Sequence, residues 1–80
     1  MHELGLTRSI VSIVAEHAGA RRVRRVRVAI GPLACVERDA LSFCFDIVAQ
    51  DTVLAGAALE FAEADGDTFI IKEYELEEAA

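Results

Sequence analysis

The feature that most limits the fold is a stretch of valines and arginines at residues 22–31. Val23, Val26 and Val28 interrupt a run of arginines, which is typical of a strand with one buried and one solvated face. Gly31 and Pro32 follow directly, and proline ends a strand because it has no N–H to give to the ladder. The stretch therefore predicts a strand of a sheet that is buried on one side.

Segments on both sides of this strand show helical periodicity. The first covers residues from about 4 to 18 and ends at Gly19, with its apolar stripe at Leu6, Ile10, Ile13, Val14 and His17. The second covers about Arg38 to Gln50, with apolar residues at Leu41, Cys44, Phe45 and Val48 and a neighbouring stripe at Phe43 and Ile47. Asp39 lies in its first turn, where the helix dipole favours an acid. The sequence thus predicts two helices, the second with an unusually broad apolar face.

The last third of the chain predicts a hairpin. Leu59 and Phe61 alternate with polar or small residues, Asp65-Gly66 suits a turn, and residues 68–77 resume as a strand. In that strand one face is assigned to Ile70, Tyr74 and Leu76, and the other to Phe69 and Ile71. The order α-β-α-β-β predicts an α/β (α+β) fold, in which a small mixed three-stranded sheet packs with two helices.

Composition limits the remaining choices. The chain has 80 residues, so we expect residues 1–80 to form one domain. Its net charge is −6 and its aromatic residues are not clustered, so we do not expect it to bind nucleic acid. No apolar run is long enough for a membrane span. Two cysteines and an N-terminus unlike a signal peptide favour a cytoplasmic protein. Because so short a domain buries only about 60% of its unfolded surface, a homodimer is also an expectation.

Enzymatic catalysis has little support in the residues. The sequence contains no phosphate-binding glycine loop, no nucleophile elbow and no pair of cysteine clusters. His17 is best explained as a residue at a helix end, Cys44 as a core residue and Cys35 as structural filler in a loop. We therefore do not expect an enzyme.

The N-terminus itself can chelate a metal ion. The α-amine of Met1, the amide nitrogen of His2 and the His2 imidazole Nδ1 can close fused rings around one ion, and planar nitrogen sets suit Ni(II) or Cu(II). The fourth position is open to the Glu3 backbone amide, the Glu3 carboxylate or a group from a partner protein. A bulky residue at position 2 should leave Met1 in place. Taken alone, His2 could equally belong to an exposed terminus without function.

Four segments in this order resemble the HypA/HybF family of nickel metallochaperones. They are Met-His-Glu-Leu at the start, Arg-Val-Arg-Val-Ala-Ile-Gly-Pro-Leu at 25–33, Val-Glu-Arg-Asp-Ala-Leu-Ser-Phe-Cys-Phe-Asp at 36–46, and Ile-Lys-Glu-Tyr-Glu-Leu at 71–76. The resemblance implies a protein that helps deliver Ni(II) to [NiFe] hydrogenase and, in some bacteria, to urease. It also implies that His2 is the principal nickel ligand, that Met1 and the backbone around Glu3 complete the site, and that Glu3 helps contact the HypB GTPase.

One departure from the family is large. Its members carry a zinc-binding lobe with two CxxC pairs between strands two and three, whereas this sequence passes through a short turn near 64–67. We therefore expect no zinc, and a weakened link to the hydrogenase large subunit. An engineered deletion and a naturally short form both fit. A competing hypothesis is an interaction module that binds HypB or itself without useful nickel binding.

Overall fold

Residues 2–78 are described by a computed structural model. Their elements follow the predicted order: helix α1 (Glu3–Ala18), strand β1 (Val23–Ile30), helix α2 (Arg38–Val48), strand β2 (Ala58–Glu63) and strand β3 (Phe69–Leu76). The strands form one mixed three-stranded sheet with which both helices pack. The predicted fold class is therefore confirmed. Within residues 2–78 no helix combines the length and the apolar character that a membrane crossing requires.

The strand order differs from the predicted hairpin. β1 is the central strand, parallel to β2 on one side and antiparallel to β3 on the other, so β2 and β3 do not pair. The prediction of a hairpin was wrong because β1, α2 and β2 form a parallel crossover unit, which places β2 beside β1. The remaining free edge of β1 then receives β3.

The connection between β2 and β3 crosses over the end of β1 at a glycine. The N–H of Gly31 donates to the Thr68 carbonyl, and the N–H of Leu33 donates to the Gly66 carbonyl, each at 2.8 Å. A Cβ atom on Gly31 would lie 2.2 Å from the Gly66 carbonyl oxygen. The crossing therefore requires a residue without a side chain at position 31, and Gly66 itself has a positive φ of 61°.

Two β-bulges set which side chains reach the core. The pairing of β1 with β3 shifts between Val23 and Arg25, which leaves Arg24 without an opposite residue, and it shifts again at Lys72. The first bulge lets Val23 and Val26 share the buried face despite their odd spacing. The second bulge, at Lys72, changes which side chains of β3 face the core, so the predicted faces of this strand were wrong. Ile70 is exposed, whereas the four side chains packed against the core are Phe69, Ile71, Tyr74 and Leu76.

The core lies between the helices and one face of the sheet. Val26, Val28, Leu41, Phe45 and Leu54 are completely buried. Burying the larger apolar side chains stabilises the fold by about 1.5–3 kcal/mol each. The core holds α1, α2 and β1 in fixed relative positions. It therefore also fixes the N-termini of the two helices, where the candidate site lies.

The opposite face of the sheet is a charged surface. Arg25 on β1 pairs with Glu60 on β2 at 3.2 Å and with Glu75 on β3, and Arg27 lies 3.5 Å from Glu60 and 3.4 Å from Glu73. The hydrogen bonds that Arg25 donates to Glu75 and Glu60 raise the pKa of Arg25. Those that Arg25 and Arg24 donate to Glu75 lower the pKa of Glu75. The arginine cluster is thus a solvated strand face, as its alternation with valine indicates.

Candidate metal centre

His2 is the residue at which α1 begins. It is the N-cap, its side chain makes no capping bond and is exposed, and its carbonyl accepts the N–H of Leu6 at 2.9 Å. The N–H groups at the start of a helix have no acceptor within the helix. A metal ion that displaced the His2 amide proton would therefore leave the hydrogen bonds of α1 intact.

The predicted partner of His2 in the chelate, the Met1 amine, lies outside the described residues. Among residues 2–78 there is no group of three or more His, Cys, Asp or Glu side chains that could hold a metal ion. The ligand set of Met1, His2 and Glu3 stays a prediction.

Glu3 lies just inside α1 and is buried, with 9% of its surface exposed. Its Oε2 accepts the backbone N–H of Glu37 at 3.1 Å, and Glu37 is the N-cap of α2. The buried hydroxyl of Thr7 donates to the Glu3 carbonyl at 3.1 Å and to the Leu4 carbonyl at 2.8 Å. Glu3 thus joins the beginnings of the two helices.

The Glu3 carboxyl is held as an anion. Its pKa falls from an ordinary 4.5 to about 2, and the backbone N–H groups of Glu37 and of Glu3 itself, which donate to the carboxylate, contribute to this shift. Helix N-termini carry partial positive charge, so an anion between two of them is in a favourable place. A metal ion that took Oε2 would compete with the Glu37 N–H.

A shallow depression opens beside Glu3 on the loop that precedes α2. Its lining includes Gly31, Pro32, Cys35 and Glu37. The position of this loop against Glu3 was not predicted, because the contact joins residues 34 positions apart and no local pattern reports it. Cys35, expected to be structural filler in this loop, is exposed and has a positive φ of 58°.

The other candidate ligands take no part in this arrangement. Cys44, which was expected in the core, is only half-buried on α2 and is not part of the core cluster. His17 Nδ1 lies 2.9 Å from the Ile13 carbonyl oxygen in the last turn of α1. This geometry fits a proton on Nδ1 and agrees with the helix-end role expected for His17.

Similarity to known proteins covers most of the chain. Residues 1–69 match the family model described as HypA, hydrogenase/urease nickel incorporation, metallochaperone. The hydrogenase maturation factors HypA of Trichormus variabilis and Nostoc punctiforme are 54% and 53% identical over 66 residues. Each alignment covers 82% of this chain and 58% of the relative, so the chain spans less than two thirds of their length.

Solved structures agree on the fold. The solution structure of the Ni metallochaperone HypA from Helicobacter pylori aligns with a TM-score of 0.70 at 20% identity, covering 91% of this chain and 72% of that one. A second HypA solution structure aligns with a TM-score of 0.67 at 21% identity. The relatives are named as maturation factors or metallochaperones and not as enzymes. From the match over residues 1–69 and the identity to these relatives, the chain belongs to the HypA family.

Proposed function

We propose that the chain is a nickel metallochaperone core that binds Ni(II) at its N-terminus and hands it on during [NiFe] hydrogenase, or urease, maturation. The observation that carries the proposal is the exposed imidazole of His2 at the start of α1, in a family described by nickel incorporation. The proposed ligands are the Met1 amine, the amide and imidazole nitrogens of His2, and Glu3.

The chemistry of the proposed site is capture and release of a cargo ion. Ligands must lose their protons to bind, so nickel affinity should fall as the solution becomes acidic. Because His2 is exposed, ligands of a recipient protein can approach the ion. The Glu3 carboxylate already accepts the Glu37 N–H, so the backbone nitrogen of Glu3 or a partner's group is the better candidate for the fourth position.

The proposed partners are a HypB-type GTPase and, more weakly, the hydrogenase large subunit, in the cytoplasm. Glu3 is largely buried. We therefore propose that it aids the GTPase contact chiefly by holding the terminus in place. The two free cysteines, Cys35 and Cys44, are compatible with a reducing compartment.

We also propose that residues 1–80 act as a single nickel-binding domain without a zinc lobe. Residues 64–68 pass directly from β2 to β3, where the family resemblance would place the lobe. The connection is anchored to the end of β1 by backbone hydrogen bonds to Gly31 and Leu33. The sheet is therefore closed by protein contacts, and we expect folding to be independent of zinc.

The test is a calorimetric Ni(II) titration of three proteins: the native chain, His2→Ala, and a form extended by a few residues before Met1. Both changes remove a nitrogen of the chelate, and each should weaken nickel binding by about 10–100-fold or more. His17→Ala is the matched control, because it removes the other exposed histidine and should leave the affinity unchanged. Equal affinities in all four proteins would refute the terminal chelate.

The competing function, an interaction module without useful nickel binding, makes a different prediction. Binding to a HypB-type GTPase would persist, while the nickel affinity of the native chain would be no better than that of an unrelated peptide containing histidine. Measuring both affinities on the same preparation separates the two functions.

A further inference from the structure

Two large apolar side chains of α2 are exposed on one side of the helix. Phe43 is 68% exposed and Ile47 is 50% exposed. Residues four apart lie one above the other on a helix, so the two form a continuous apolar ridge, called here the α2 ridge. Single exposed apolar residues are ordinary on protein surfaces, so the ridge is informative only together with the charges beside it.

Two aspartates lie along one flank of the α2 ridge. At 100° per residue, Asp39 and Asp46 project within about 60° of Phe43 around the helix axis. Neither forms an ion pair with any residue in the part of the chain that the structure describes. The arginines of β1, by contrast, all have glutamate partners. The two acids on α2 therefore have no ion-pair partner among the described residues.

The position of Asp46 is also unfavourable for the helix itself. Asp46 lies two residues before the end of α2, whose last turn contains no basic residue. The C-terminus of a helix carries partial negative charge, so a carboxylate there is repelled. The exposed side chains of the α2 ridge and the repelled carboxylate of Asp46 lie on the same surface. Within the described fold no residue covers the ridge and no cation pairs with Asp46.

We propose that the α2 ridge, with Asp39 and Asp46, is a docking surface for an amphipathic helix of a partner protein. The partner helix would carry apolar residues at positions i and i+4 and lysine or arginine beside them. Its apolar side chains would cover Phe43 and Ile47, and its cations would pair with the two aspartates. The apolar face of an amphipathic helix would supply the contact, and the charges would fix its orientation.

A second copy of this chain does not have that chemistry on α2. Arg38 is the only basic residue of the helix, and it lies 5.4 Å from the centre of the Phe61 ring and 3.8 Å from Glu63. Packing two α2 ridges together would bring aspartates of both copies close without a cation between them. The net charge of −6 adds to this repulsion.

The test uses two synthetic helical peptides with leucines at i and i+4, one flanked by lysines and the other by glutamates. Binding is measured by fluorescence anisotropy on the full chain. The lysine peptide should bind at least about tenfold more tightly than the glutamate peptide. Phe43→Ser and the double variant Asp39→Asn/Asp46→Asn should each weaken its binding at least about tenfold, with circular dichroism showing that both remain folded.

The control is Asp67→Asn/Glu78→Gln, which removes the same charge from two exposed acids away from α2 and should change the affinity by less than about twofold. An equal loss in the control, equal binding of both peptides, no binding, or a dimer that dissociates on Phe43→Ser would each overturn the proposal. Phe43→Ser should leave nickel binding at the native level, so this proposal and the proposed nickel function can fail separately.

Discussion

At the residue scale, Glu3 illustrates how one side chain serves two helices. It supplies an acid to the first turn of α1 and an acceptor to the N–H of Glu37. The first role depends on the negative charge of the carboxylate, and the second depends on its oxygen as an acceptor. The residue therefore stabilises the terminus to which the proposed nickel site belongs, whether or not it contacts the ion.

The low pKa of Glu3 predicts a pH-dependent contribution to stability. A carboxyl whose pKa is about 2 in the folded protein and 4.5 ordinarily stabilises the fold fully above pH 4.5, and the contribution disappears as the pH falls towards 2. Glu3→Gln keeps an acceptor oxygen for the Glu37 N–H but has no charge. The native protein should therefore exceed this variant in free energy of unfolding at pH 7, and the difference should vanish near pH 2.

Urea unfolding of both proteins at several pH values measures the difference. Glu78→Gln, at an exposed acid without an ion pair among the described residues, is the control and should follow the native protein at every pH. A Glu3→Gln difference that stays constant from pH 7 to pH 2 would show that the charge of Glu3 has no part in stability.

At the scale of elements, the crossing of the β2–β3 connection over β1 depends on Gly31. Gly31→Ala would place a methyl group 2.2 Å from the Gly66 carbonyl oxygen and 2.6 Å from that of Asp65. These are backbone atoms held by hydrogen bonds, so relief requires moving the connection. We expect a loss of about 1–3 kcal/mol in the free energy of unfolding.

Gly5→Ala provides the matched control. Gly5 lies within α1, and an added Cβ there would have no atom within 4 Å. Alanine is the better helix former, so this variant should gain about 0.5–1 kcal/mol. Thermal and urea unfolding of the two variants measure both effects. A Gly31→Ala protein as stable as the native one would contradict the crossing described for residues 64–68.

At the scale of the whole molecule, the two edge strands differ in how well they are protected. β3 contains a bulge and Lys72, which blunt an edge, whereas β2 contains no proline, no lysine and no shift in its pairing with β1. A short domain gains stability from a partner subunit. We therefore propose that a homodimer would form at the β2 edge and not at the α2 ridge.

Light scattering at several protein concentrations tests this proposal. The mass should rise towards that of a dimer with concentration, and Phe43→Ser should not change it. A monomer at every concentration would contradict the dimer. A dimer lost on Phe43→Ser would instead identify α2 as the surface of self-association.

The elements of this protein follow from local patterns in its sequence. Helical spacing in residues 4–18 and the alternation of valine with arginine reflect which side chains one helix or strand presents to a core, and this depends on near neighbours only. The predicted chelating set at Met1 and His2 likewise depends only on adjacent residues. The number and order of the elements, the fold class and the candidate metal ligands could therefore all be predicted from local sequence.

Contacts between distant residues depend on how the elements pack in three dimensions. The position of β1 between β2 and β3 depends on the crossover through α2, the faces of β3 on a bulge at Lys72, and the burial of Glu3 on a hydrogen bond to Glu37. A turn signal such as Asp65-Gly66 reports that the chain bends but not which strand lies beside it. Pairing and burial arise only when the packed core brings segments together, and for this reason no local pattern could predict them.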